Sequence, residues 1–175
     1  KTITQEGIFN IIKKISNVRP LLTLMNVCPL IDLELEKFFT ELRRAILFSN
    51  FELKDQDKTH AFLSALSIQL FINEHLYNET EIETEKINQL SKKISKNISL
   101  SKKNSEIDLI KLSYYRPLNL IDGVENIDFS NSLQLLTKRL IFEPNLEFKN
   151  LSNFKSINKI SNKVSLLVQN QYEEN

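Results

Sequence analysis

Only two glycines, Gly7 and Gly123, occur in 175 residues, and they stand far apart in the chain. That scarcity constrains the fold more than any motif does. Sheets joined by tight turns need residues that accept positive φ, and glycine is the usual supplier. A chain so poor in it reads as helical. The same scarcity removes a class of function. Dinucleotide- and phosphate-binding loops bring backbone against ligand through closely spaced glycines after a strand, and no such pair exists here.

Helical spacing runs through most of the sequence. Ile8, Ile11, Ile12 and Ile15 form a stripe within residues 3–17. In "RPLLTLMNVCPLID", Pro20 and Pro29 exclude one continuous helix. Asp32 fits an N-cap, ahead of an apolar face of Leu35, Phe38, Phe39, Leu42 and Ile46 with Glu34, Lys37, Glu41 and Arg44 outside. The stretch "DKTHAFLSALSIQLFINEHLYN" carries two adjacent stripes: Ala61, Ala65, Ile68, Ile72 and Leu76, then Phe62, Leu66 and Leu70. A helix apolar over so much of its circumference packs on several sides, which predicts the central helix. Thr80 and Glu83 fit a capping box, Glu81, Glu83 and Glu85 crowd the positive end of the next helix, and Lys92, Lys93 and Lys96 crowd its negative end. Ile87, Leu90 and Ile94 face inward. Ser105 opens a helix that runs to Tyr115 before Pro117, and Gly123 marks a loop. Ser130 opens another helix through Phe142, stopped by Pro144; "NLEFKNLSNF" reads as irregular, and 162–174 as a final helix with Val164, Leu167, Val168 and Tyr172 on one side. The expectation is an all-α irregular bundle of about seven helices with no sheet of consequence. It forms a single domain over 1–175, in which 1–19 suits the end of a preceding helical or repeat region and 162–175 a junction helix.

Composition excludes further classes. Lys+Arg and Asp+Glu nearly cancel, leaving +1, so no net field draws nucleic acid or an anionic membrane. The longest stretch without acidic or basic charge, Thr59 to Asn73, falls short of the roughly 18 apolar residues that span a bilayer. The single cysteine, Cys28, forbids an internal disulfide and fits a reducing compartment. It lies between Val27 and Pro29 with no basic neighbour, which reads as a buried structural thiol.

No constellation reads as catalytic. Glu74, His75 and Glu79 invite a metal reading, but HExxH and paired thiols are both missing, so no metal site is expected. His75 reads as a cation at the negative end of a helix, and His60 as an ordinary first-turn polar residue. Glu173 and Glu174 are adjacent and point apart. Lys92 to Lys103, interleaved with serines, read as a solvated face, and Tyr114, Tyr115 and Arg116 as aromatics packed at a helix end. No catalytic residue is expected.

The closing "INKISNKVSLLVQNQYEEN" resembles a stretch of bacterial proteins that fuse tetratricopeptide repeats to a class I SAM-dependent methyltransferase domain. In that family a helix ending in Gln-Tyr-Glu-Glu-Asn leads into an Asn-Pro-Tyr-Pro-type motif and then the methyltransferase core; Gln171, Tyr172, Glu173, Glu174 and Asn175 match its first part. "DLELEKFFTELRRAIL", "FLSALSIQLFINEHLY", "YYRPLNLI" and "IFEPNLE" are similar too, so the likeness covers the chain from about Pro20 onward. It implies a cytoplasmic, non-catalytic helical module that has no cofactor of its own and presents a substrate to a methyltransferase domain expected beyond Asn175. S-adenosylmethionine is then the cofactor of the parent protein. Tyr172 and Asn175 are the junction residues the resemblance brings nearest the cofactor mouth. The expected partners are that C-terminal domain and a protein substrate, with neither nucleic acid nor membrane. Lys1 in place of methionine fits a segment of a longer protein. The rival reading is a stand-alone helical interaction module, without a role in methylation, whose apolar grooves take a partner helix.

Overall fold

The computed structural model describes residues 5–50, 57–151 and 167–168, and the chain divides into two compact units, Lys1–Asn145 and Leu146–Asn175. Six helices lead the first unit: α1 (Gln5–Ile15), α2 (Arg19–Val27), α3 (Leu33–Phe48), α4 (Asp57–Ile72), α5 (Glu81–Ser99) and α6 (Glu106–Ser113). After short 3-10 turns comes a compound stretch: α7 (Gln134–Thr137), a π-helical segment (Lys138–Phe142) and α8 (Glu143–Leu151). No strand occurs among the described residues, so the all-α expectation holds.

α4 is the centre, as its two stripes predict. Every residue from Phe62 to Leu70 is buried, and the helix packs against α1, α2, α6 and α7. Each large apolar side chain so buried contributes about 1.5–3 kcal/mol. Its stripes are shorter than their spacing suggests, for Ala61 is exposed and Leu76 lies beyond the helix, 78% exposed. The reason is a C-terminal reversal. His75 N–H donates to the Leu70 carbonyl and Glu74 N–H to the Phe71 carbonyl, both at 2.9 Å, the paired bonds of a Schellman motif. Glu74 and His75 take φ of 53° and 56° there, a left-handed conformation that glycine normally supplies.

The caps follow the sequence closely. Asp32 Oδ1 accepts from the Glu34 and Leu35 amides at 3.0 and 2.9 Å. Thr80 and Glu83 close a reciprocal capping box at the start of α5. Gly123 has φ 77°, and a Cβ there would come within 2.9 Å of Ile98 Cγ2, so both backbone and space require glycine.

Pro20 and Pro29 interrupt the helical path as expected: α2 lies between them, with Pro20 in its first turn, where its missing N–H has no intrahelical partner to lose, and it ends before Pro29. Pro144, by contrast, does not stop the chain from being helical. The π segment Lys138–Phe142 precedes it and shifts the hydrogen-bond register just where Pro144 cannot donate, and α8 continues through Leu151. Part of "NLEFKNLSNF" is thus helical rather than irregular. Ser130 makes no side-chain cap; a 3-10 turn, Asn131–Leu133, precedes α7. Of the final predicted helix, Leu167 and Val168 are helical and exposed; Val164, Tyr172, Glu173, Glu174 and Asn175 lie outside the described residues.

Candidate functional site

The densest cluster of ionisable groups surrounds Arg43 on α3. Phe39, Leu42, Ile46 and Leu47 carry α3 into the core, and the same helical spacing turns Arg43 inward, where it is 1% exposed. Its guanidinium donates to three main-chain carbonyls: Nη1 to Tyr114 at 3.2 Å, and Nη2 to Tyr77 at 3.2 Å and Asn78 at 2.8 Å. It also stacks over two rings, 4.2 Å from the centroid of Tyr115 and 5.4 Å from that of Tyr77. Burial lowers its hold on the proton, opposed by Tyr115, Glu83 and Glu79, yet a guanidinium stays charged in any protein.

Two carboxylates from the start of α5 and the turn before it balance the charge. Glu83 is fully buried: Oε2 accepts from Thr80 N–H at 2.9 Å and Thr80 Oγ1 at 2.7 Å and pairs with Arg44 Nε at 3.1 Å, while Oε1 accepts from Tyr115 O–H at 2.7 Å. Burial by itself raises Glu83, but the bonds from Thr80, Tyr115 and Arg44 outweigh it and hold the carboxyl below its usual range. Tyr115 is pushed well above the ordinary phenol value by burial and by its bond to Glu83. Glu79 forms a two-pronged pair with Arg116, at 2.7 and 2.8 Å, and accepts from Thr84 Oγ1 at 2.7 Å. The Arg116 bonds, followed by that of Thr84, lower Glu79 against the pull of burial.

His75 completes the hub in an unexpected state. Its ring nitrogens are buried and close no hydrogen bond of good geometry, and the ring meets Phe71 edge-on at 6.2 Å. Burial lowers its pKa to about 4; the Tyr114 carbonyl and Glu79 oppose the shift, and Arg43 and Arg116 reinforce it. His75 is therefore neutral at pH 7, not the helix-end cation the sequence suggests. Burial, reinforced by Arg43 and Arg116, overrides the helix dipole.

The hub is closed chemically. Apart from His75, its charged groups are engaged with one another, with main chain or with ring faces, and the hydroxyls of Thr80, Thr84 and Tyr115 are each spent on Glu79 or Glu83. Neither cleft described below is lined by Arg43, Glu79, Glu83 or Tyr115. Sequence spacing had the signal for Arg43, which shares a face with Phe39 and Ile46; Arg44, read as outside, is half-buried through its pair with Glu83. Tyr114 and Tyr115 do pack at a helix end, at 0% and 1% exposure.

The remaining candidates are dispersed. His60 is buried in the first turn of α4. Cys28 is only half-buried and ends α2, its N–H and Sγ both directed to the Leu24 carbonyl. No group of three or more potential metal-ligating side chains occurs among the described residues. No described helix is long and apolar enough to cross a membrane.

Two surface clefts are lined by lysines. The first, about 280 Å³, lies among the end of α3, α5 and α6 and holds Lys86, Lys93, Lys111 and Asp108 over Leu47, Phe48 and Leu90. The second, about 400 Å³, holds Lys102, Lys103 and Asp128 beside Gly123. Part of the Lys92–Lys103 run thus faces concave surface rather than a uniformly solvated one. Comparison with protein-family models, curated proteins and solved structures returned no match.

Proposed function

We propose that this chain is a non-catalytic helical accessory module that presents a substrate to a SAM-dependent methyltransferase domain C-terminal to it in a longer cytoplasmic protein. One observation carries the reading. Three of the segments that resemble the methyltransferase fusions meet at Arg43. "DLELEKFFTELRRAIL" supplies Arg43 and Arg44, "FLSALSIQLFINEHLY" supplies His75 and Tyr77, and "YYRPLNLI" supplies Tyr114, Tyr115 and Arg116. A likeness that takes in this structural hub supports a shared scaffold role for these residues. S-adenosylmethionine belongs, in this reading, to the following domain, with Tyr172 and Asn175 at the junction.

Calorimetric titration with S-adenosylmethionine tests it. The expected result is no binding by residues 1–175 and binding by the chain extended through the next domain. Binding by residues 1–175 alone would contradict the assignment, as would a parent reading frame that lacks a glycine-rich strand–loop–helix past Asn175.

The rival, a stand-alone interaction module, has its own support. Leu24, Val27, Ile31 and Leu33 are 48%, 65%, 98% and 73% exposed along the end of α2 and the start of α3. Such neighbouring apolar side chains suit a partner surface.

A further inference from the structure

Lys86 and Lys93 lie seven residues apart on α5, so with Gln89 and Leu90 between them they share one helix face. Across the cleft from that face stands Lys111 on α6, with Asp108 one turn earlier. Lys111 is only 9% exposed, a depth at which lysine is rare unless paired. Its Nζ donates to the Ser49 carbonyl at the end of α3 at 2.7 Å, which uses one of three N–H donors and supplies no negative charge. The one carboxylate among the described lining residues, Asp108, is committed to Lys93 at 2.6 Å. Among those described residues, three ammonium groups and one carboxylate leave an excess of two positive charges in a single concave site. Burial lowers Lys111's affinity for its proton; Asp108 opposes this, and Lys86 and Lys93 lower it further. Placing like charges together around a buried ammonium costs stability unless an anion joins them.

Leu47, Phe48 and Leu90 add an apolar wall to the cationic one. The hub shows how this fold treats charge that has a structural purpose: Arg43 donates to three carbonyls and stacks on two rings. Lys86, by contrast, faces the cleft with no ion pair to a described residue. From these observations we propose that the cleft is a binding site for a doubly charged phosphoryl group carried on a small apolar body. Lys86 and Lys93 close on the phosphoryl oxygens from the α5 side, Lys111 supplies the charge from below, and Leu47, Phe48 and Leu90 take the apolar part. The assignment is independent of the methyltransferase reading, because it draws only on the cleft's own residues.

The test is titration of the full chain with phenyl phosphate, inorganic phosphate and benzyl alcohol, followed by NMR or calorimetry. Phenyl phosphate should bind, inorganic phosphate should bind more weakly for want of the apolar contact, and benzyl alcohol should not bind. The exposed changes Lys86→Gln and Lys93→Gln together should weaken phenyl phosphate about tenfold or more. Asp108→Asn, which removes the competing carboxylate, should tighten it. A merely structural lysine cluster predicts no such gain, so Asp108→Asn keeps the test decisive even where Lys111→Met fails to fold. A sedimentation arm with phosphatidylcholine vesicles containing phosphatidate separates the sources. Lysine-dependent pelleting assigns the phosphoryl group to a lipid headgroup, and soluble binding without pelleting assigns it to a free metabolite. Absence of phenyl phosphate binding, or binding unchanged in the double lysine variant, overturns the proposal.

Discussion

The Arg43 hub and the Lys111 cleft are built from the same three helices and treat charge in opposite ways. α3 contributes Arg43 and Arg44 to the hub and Leu47 to Ser49 to the cleft. α5 gives Glu83 from its first turn to one and Lys86 and Lys93 to the other, while α6 gives Asp108 and Lys111 and, just past its end, Tyr114 to Arg116. In the hub, each cation meets carboxylates, carbonyls or ring faces, and Arg43 and Glu83 at its centre are shielded from water. In the cleft, cations outnumber their partners and remain reachable. Desolvated charge is stable only when it is saturated. The contrast separates charge that holds the fold from charge left available to a ligand.

The sharpest way to break that contrast is at its centre. Arg43→Met keeps much of the side-chain volume but strands the Tyr77, Asn78 and Tyr114 carbonyls and removes the cation stacked on the Tyr115 ring, whose charge also acts on the buried Glu83. Loss of one partner from a buried ionic cluster typically costs about 3–5 kcal/mol. Urea denaturation should show a loss of that size. A loss below about 1 kcal/mol, the range of an exposed pair, would place Arg43 in the same category as the surface lysines and dissolve the distinction.

How much of this was visible beforehand depends on range. The caps at Asp32 and Thr80–Glu83 were legible because every partner lies within three residues. The centrality of α4 was legible because apolar spacing alone requires it. The hub was not, since Arg43 reaches residues 34, 35 and 71 positions away and nothing local names those partners. The state of His75 is hidden for the same reason: its nearest sequence context is a helix end, while its burial and the charges of Arg43 and Arg116 come from the tertiary fold. The lysine cleft was half visible. Lys92 to Lys103 stood out, but Lys86 and Lys111, which make the site concave and deep, lie outside that run.

A second, intermediate effect tests whether the hub's charge balance is what keeps His75 neutral. Its folded pKa, about 4, lies below the ordinary 6.5, so between those values the unfolded chain binds the extra proton. Stability present above pH 6.5 is therefore lost as pH falls toward 4, by on the order of 2–3 kcal/mol. Glu79 and Glu83, also lowered, extend the loss below the ordinary carboxylate range, because their contribution is present above it and disappears as they protonate. In His75→Phe the first limb should vanish while the carboxylate limb stays. The slope of denaturation free energy between pH 6.5 and 5 is the readout, since the left-handed backbone at residue 75 shifts the absolute value in any variant. An unchanged slope would mean that another group carries the acid sensitivity.

The smallest expected effect lies on the other side of the comparison. Lys93 forms the tightest ion pair in the cleft, at 2.6 Å, yet its side chain is 60% exposed. Water and salt screen such a pair, and holding a long side chain in one rotamer costs entropy that offsets most of the attraction. Lys93→Gln should therefore change the unfolding free energy by no more than about 0.5 kcal/mol. Its sign carries more information than its size. If the crowding of Lys86, Lys93 and Lys111 is unrelieved without a ligand, removing one charge lets Lys111 regain its proton affinity and offsets the loss of the Asp108 pair. A neutral or slightly stabilising result at low salt, fading as salt rises, is the expected outcome. A loss of about 2 kcal/mol would show that Lys93 is bound into the fold as Arg43 is, leaving the cleft no spare charge to offer.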